Sequence, residues 1–182
     1  MAGSERTGNR LLGTLRSADG RGVVRIEDRY DTGIDDLWSA LIDPARLARW
    51  FGRVGGDLRL GGEFRLFVPG AELDLIGHVK ACEPPRRLRV TTRETEESYQ
   101  QGVGEPPFDE DIEATLTADG DQTILVIEVS GVPLEKVAFY GVGWQIHAEN
   151  LRAHLAGHEV GDDEARWAEL VPPYQELAAD VS

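Results

Sequence analysis

The chain has 182 residues, 41% hydrophobic and 29% charged: enough apolar material for one core and too much for wholesale disorder. Its 19 Lys and Arg against 33 Asp and Glu give a net charge of −14, which repels nucleic-acid phosphates and anionic lipid head groups. The single cysteine, Cys82, excludes an internal disulfide, no run approaches 18 apolar residues, and the first residues (MAGSERTGNRLL) lack a leader's apolar stretch, so a cytoplasmic domain is expected.

Residues 1–21 are rich in Gly, Ser, Arg and Thr and predict a flexible lead-in. Residues 22–30 alternate as a first strand. After the turn residues Asp31-Thr32-Gly33, the apolar positions Ile34, Leu37, Trp38 and Leu41 recur at helical spacing. Asp43 and Pro44 open a second short helix as cap and first helical residue, and it closes at Trp50-Phe51-Gly52. Residues 54–60 read as a strand turning through Gly61-Gly62 into 63–68. A strand over 72–82 stops at Glu83-Pro84-Pro85, and 86–94 puts Leu88, Val90 and Thr92 on one face with arginines on the other. Residues 95–109 have no period and predict a loop that acts as a lid, carrying Tyr99 and Phe108.

Two more strands, 110–118 and 122–130, meet at Asp119-Gly120-Asp121, with Ile112, Ala114 and Leu116 sharing a face. Trp144, Ala148, Leu151 and Leu155 form a narrow stripe on a long helix over 135–157. A shorter helix over 162–170 is expected to break at Pro172-Pro173. The fold class is α+β: a curved antiparallel sheet of about six or seven strands wrapped around a long C-terminal helix, with two short helices after the first strand. The domain spans 22–158, and 159–182 is a helical extension of it.

Four segments carry a resemblance to a known family: DPARLARWFG at 43–52, Gly61-Gly62 with the following EFRLFV, GHVKACEPPRRL at 77–88 and GWQIHAENLRAHL at 143–155. Their order resembles the helix-grip fold of the START-related superfamily (SRPBCC), which includes polyketide cyclases, aromatases, pollen allergens and lipid-transfer domains. Within it they are most similar to the bacterial branch named after the activator of the heat-shock chaperone ATPase. The resemblance implies a fold rather than one activity, because this scaffold hosts transfer, binding and catalysis.

A sheet wrapped over one helix leaves an interior that can serve as a ligand pocket. From the strands and short helix, the expected walls are Trp50, Phe64, Leu66, Leu75, Val90 and Thr92. From the long helix they are Trp144, His147 and Leu151, with His147 or Thr92 fixing a ligand's orientation. Trp50 and Phe51 are expected at the entrance. His154 and His158 are four apart but lack a third ligand, so no metal site is read, and no cofactor. Glu113, Glu128, His78 and the strand arginines are expected on the outer face, and Cys82 as a structural thiol. The predicted function is binding of a small hydrophobic or aromatic molecule by a monomer or homodimer, with no nucleic-acid or membrane partner. Two alternatives remain: a cyclase- or aromatase-type enzyme using the same pocket, for which no inward acid/base pair stands out, and a module acting on a chaperone ATPase.

Overall fold

Alternation along residues 21–30 turns Val24, Ile26, Asp28 and Tyr30 to one side of the chain, and the strands over 63–68 and 122–132 repeat that division. In the computed structural model, which describes residues 10–96 and 107–182, the strands are β1 (Gly13–Ala18), β2 (Arg21–Tyr30), β3 (Arg53–Gly56), β4 (Glu63–Val68), β5 (Leu73–Glu83), β6 (Arg87–Glu94), β7 (Asp109–Asp119) and β8 (Gln122–Val132). Helices α1 (Ile34–Ile42) and α2 (Pro44–Trp50) lie between β2 and β3. A 3-10 turn at Leu134–Lys136, α3 (Val137–Leu155) and α4 (Asp163–Ala179) follow the sheet. The strands form one antiparallel sheet in the order β1-β2-β8-β7-β6-β5-β4-β3. Strands β3 to β8 are a plain meander, and α1 and α2 carry the chain from β2 to the opposite edge. Asp43 caps α2 by accepting from the Ala45 N–H at 2.9 Å, with Pro44 at the first helical position.

The helix-grip architecture is present, with eight strands rather than the expected six or seven and with five local corrections. Residues 13–18 of the expected lead-in are the edge strand β1, paired with β2 from Gly13↔Ile26 to Ala18↔Arg21. The strand expected over 54–60 is only Arg53–Gly56. Gly61-Gly62 does not form a two-residue hairpin; residues 57–62 make a wider connection, whose Asp57 Oδ1 accepts from the Arg59 N–H at 2.9 Å. The last helix runs unbroken through Pro172 and Pro173. Each proline removes a helical donor. The flanking Leu170 and Tyr174, both 0% exposed, pack on Ala138, Val142 and Ile146 of α3, and that burial keeps the helix going. Finally, α3 has two apolar faces rather than one narrow stripe: Val137, Trp144, Ala148 and Leu151 meet the sheet and α1–α2, while Ala138, Val142 and Ile146 meet α4.

A buried polar node ties these layers together. The Tyr174 hydroxyl donates to Gln145 Oε1 at 2.7 Å and accepts from the Gly13 N–H at 3.0 Å. Gln145 Oε1 also accepts from the Leu12 N–H, and its Nε2 donates to the Arg10 carbonyl, both at 3.0 Å. Edge strand, central helix and terminal helix are thus held at one point. A Cβ at Gly141 would stand 2.5 Å from the Tyr174 ring, so glycine is required there for the close approach. On the outer face, Arg87, Arg89 and Arg93 of β6 bond Glu113, Asp111 and Asp109 of β7 at 2.9, 2.7 and 3.0 Å.

Tyr174→Phe removes the hydroxyl and strands the buried Gly13 N–H. The expected cost is about 1–3 kcal/mol in urea unfolding, the penalty of an unpaired buried polar group. A loss below about 0.5 kcal/mol, the scatter of ordinary surface substitutions, would show that the node does not hold β1 in place.

Candidate functional site

Two groups of apolar side chains face each other across the interior. One joins α3 to β2, β7, β8 and the two short helices; the other is Phe64, Leu66, Val68, Leu75 and Val79 on β4 and β5. Between them lies a cavity of about 100 Å³. That exceeds the roughly 30 Å³ share of one water and approaches the roughly 150 Å³ of an apolar cavity that admits benzene. Gly77 helps to keep it open: on β5 it lies opposite Phe64, and a Cβ there would sit 2.2 Å from the ring, so only glycine lets Phe64 lie flat on the sheet.

Six of the nine expected site residues line this cavity: Trp50, Phe64, Leu66, Val90, Thr92 and Trp144. The other three do not. Leu75 is buried in the β4–β5 cluster, and Leu151 in the α3 core, away from the cavity wall. His147 lies beyond the wall, in an outer groove of about 570 Å³ between the end of α2, the β4–β5 turn and helices α3 and α4. Trp50 and Phe51 border both spaces. The Trp50 indole donates to the Ala40 carbonyl at 3.0 Å and is fixed by it. The half-buried Phe51 ring lies 5.5 Å from Trp144 and 4.6 Å from His147, centroid to centroid, and forms the partition.

His147 bonds the Trp50 backbone, while its Nδ1 is buried without a partner among the described residues. Burial pulls its pKa down to about 4, so the ring is neutral near pH 7. His154 Nε2 accepts from Arg46 Nε at 3.1 Å and His158 is exposed past the helix end, so this pair does not converge. No group of three or more His, Cys, Asp or Glu among the described residues could hold a metal. His78 pairs with Glu63 at 3.1 Å on the outer face, and Glu113 and Glu128 bond Arg87 and Arg16 there. Cys82 is free and half-buried. Of the expected lid, Tyr99 lies outside the described residues; Thr95 is buried, and the Phe108 ring lies 6.0 Å from that of Tyr140 on α3.

Sequence reasoning missed one side chain. Glu110, 8% exposed, opposes Thr92 across β6 and β7, and the Thr92 hydroxyl donates to its Oε1 at 2.8 Å. Oε2 is buried with no partner among the described residues. Burial pushes the carboxyl up to about 7, against a downward pull from the Thr92 bond. Tyr140 is pushed up as well, by burial first and then by the charges of Glu110 and Glu94. The signal was available: Glu110 has the parity of Ile112, Ala114 and Leu116, whereas Glu113 has the opposite one.

A curved antiparallel sheet closed by a long C-terminal helix around an apolar cavity defines a helix-grip domain of the START-related superfamily. The family model for Activator of Hsp90 ATPase homolog 1-like protein matches residues 31–156, and the chain belongs to that family. The crystal structure of CalU16 from Micromonospora echinospora is similar, with 28% identity, a TM-score of 0.72, and coverage of 92% of this chain and 96% of that one. DynU16, a protein in the dynemicin biosynthetic locus, is 27% identical with a TM-score of 0.64, over 78% of this chain and 50% of its own. Protein MLL2253 from Mesorhizobium loti, 21% identical with a TM-score of 0.64 over 74% of this chain and 97% of that one, shares the fold. No curated protein matches the chain. No described helix is long and apolar enough to cross a membrane.

Glu110 and His147 should pull stability in opposite directions with pH. The native state holds a proton on Glu110 up to a pKa of about 7, against an ordinary 4.5, so its contribution grows as pH falls from 7 to 4.5. His147 titrates near 4 in the native state against an ordinary 6.5, so its contribution is lost as pH falls from 6.5 to 4. Glu110→Gln removes the first slope and leaves the second. Relative to the wild type, the variant should lose up to about 3 kcal/mol in urea unfolding between pH 7 and 4.5. Parallel pH profiles for the two proteins would contradict the shifted carboxyl.

Proposed function

We propose that the chain binds a small, mostly apolar or aromatic molecule in the cavity between sheet and α3, admitted from the outer groove past Phe51. One observation carries this reading. Protein interiors are close-packed, yet here about 100 Å³ stays open between two well-buried clusters, with Thr92 as the polar residue in its wall. One aromatic ring matches that volume, and any larger part of the ligand would lie in the groove beyond Trp50 and Phe51. Burying about 150 Å² of ring surface is worth on the order of 4 kcal/mol before the cost of association. Tight binding therefore needs the groove, or polar contacts, as well. Similarity to DynU16, from the dynemicin biosynthetic locus, supports a ligand drawn from small-molecule biosynthesis. A free, half-buried cysteine suits a cytoplasmic setting.

A second reading, a cyclase- or aromatase-type enzyme in the same pocket, is favoured by the buried Glu110 carboxyl beside Thr92, since a group titrating near neutrality can give or take a proton. Binding stands first because a single inward carboxyl does not supply the separate acid and base that such chemistry uses.

Ala114→Leu tests the site. Ala114 is buried in the cavity wall, and the larger side chain should fill the void. Toluene should raise the melting temperature of the wild type and bind measurably in calorimetry, while the filled variant binds none and keeps its urea unfolding free energy within about 1.5 kcal/mol of the wild type. Equal toluene binding by both proteins, or by neither, would remove the cavity as the binding site.

A further inference from the structure

Strand β7 treats its acids in two ways. Asp109, Asp111 and Glu113 point outward, and each bonds an arginine of β6. Glu110 shares the inward parity of the cavity-wall residues Ile112 and Ala114; it lies behind the wall rather than in it, reaches the wall through Thr92, and has no basic partner among the described residues. Its one polar contact there is the Thr92 hydroxyl on Oε1. A carboxyl has capacity for several hydrogen bonds, so burying Oε2 with none carries a desolvation penalty that an apolar residue at this position would avoid. Tyr140 stands near enough to feel the charge of Glu110, yet its hydroxyl does not satisfy Oε2.

Taking the cavity to be the binding site, we infer that Glu110, held by the wall residue Thr92, is a polar subsite at the cavity's edge and receives a neutral hydrogen-bond donor carried on the ligand's aromatic ring. The ligand class is therefore a hydroxylated aromatic rather than a plain hydrocarbon. A cation fits less well: it would shed its hydration into a wall that is apolar apart from Thr92, with one carboxyl to compensate. A phenolic hydroxyl sheds far less and supplies the missing donor to Oε2, leaving the ring to the apolar wall.

Toluene and p-cresol, which differ by one hydroxyl, separate the subsite from the cavity. In calorimetric titration the wild type should bind p-cresol about 5- to 10-fold more tightly than toluene, the increment of one good hydrogen bond. Glu110→Leu should erase that preference while toluene binding persists. Independently of any variant, the Glu110 carboxyl carbon resonance should shift on titration with p-cresol and stay in place with toluene. Equal wild-type affinities, a preference that survives Glu110→Leu, or a stationary carboxyl resonance under p-cresol would overturn the subsite while the cavity stands. Failure of both probes to bind the wild type would overturn the cavity and the subsite together.

Discussion

A helix about 10 Å across spans about two strand spacings of 4.8 Å, and the sheet here has eight strands. Coverage is therefore the constraint on which the rest of the molecule depends. Helix α3 lies over the β1, β2 and β8 side, where Val137, Ala148 and Leu151 join Val24, Ile26, Ile127 and Val129 in one core. Strands β4 and β5 must cover their own apolar face by curling inward, and Phe64, Leu66 and Leu75 do so as a separate cluster. Trp50, Phe51 and Trp144 bridge the two groups without filling the space between them. The cavity is what a single helix leaves behind when it grips a sheet wider than itself.

The position of α3 then matters more than its length. Buried hydrogen bonds hold it at two places: the Tyr174–Gln145 node near the start of β1, and the Tyr30 hydroxyl donating to the Ala148 carbonyl at 3.1 Å. Arg152, in the last turn of α3, pairs with Asp28 on β2, adding a charge contact at the helix C-terminus. These contacts fix α3 to the β1–β2 side and leave Trp144 to face the opening. Polar groups in such a core are costly unless satisfied. The node is satisfied, whereas Glu110 Oε2 and His147 Nδ1 stand without partners among the described residues.

Much of this was legible because a strand's period of two is robust. The faces holding Phe64 with Leu66, Val90 with Thr92, and Ile112 with Ala114 follow from alternation alone, and the structure puts all six in the cavity wall. Helical positions were less secure. Leu151 and His147 both fall near the apolar stripe of α3, but which strand lies under which turn is a tertiary fact, and it sends Leu151 into the core and His147 into the groove. Strand β1 escaped notice because GTLRSA has little apolar content; its pairing with β2 and the Tyr174 hydroxyl order it. The unbroken α4 contradicts a sound local rule about proline, since burial of Leu170 and Tyr174 outweighs two lost donors. Glu110 was overlooked because it sits at a strand end next to an aperiodic loop, where parity is hardest to assign.

The partition between cavity and groove is the weakest wall of the site, and its neighbours explain why. Trp50 cannot leave without breaking its bond to the Ala40 carbonyl, and Gly52 is pressed so close to β4 that a Cβ would meet the Phe67 carbonyl at 2.5 Å. Phe51, between them, ends α2 at φ −121°, ψ −66°, outside the helical region. Its half-buried ring is held by dispersion and edge contacts to Trp50, Trp144 and His147, none of which is directional enough to lock one rotamer. A fixed backbone on both sides with a loosely held ring between them confines any opening to one side chain. Under the proposed function, a molecule passing from groove to cavity would need a rotamer change of this one ring rather than a collective movement of helix or sheet. The buried clusters and the polar node would therefore stay intact through such an exchange.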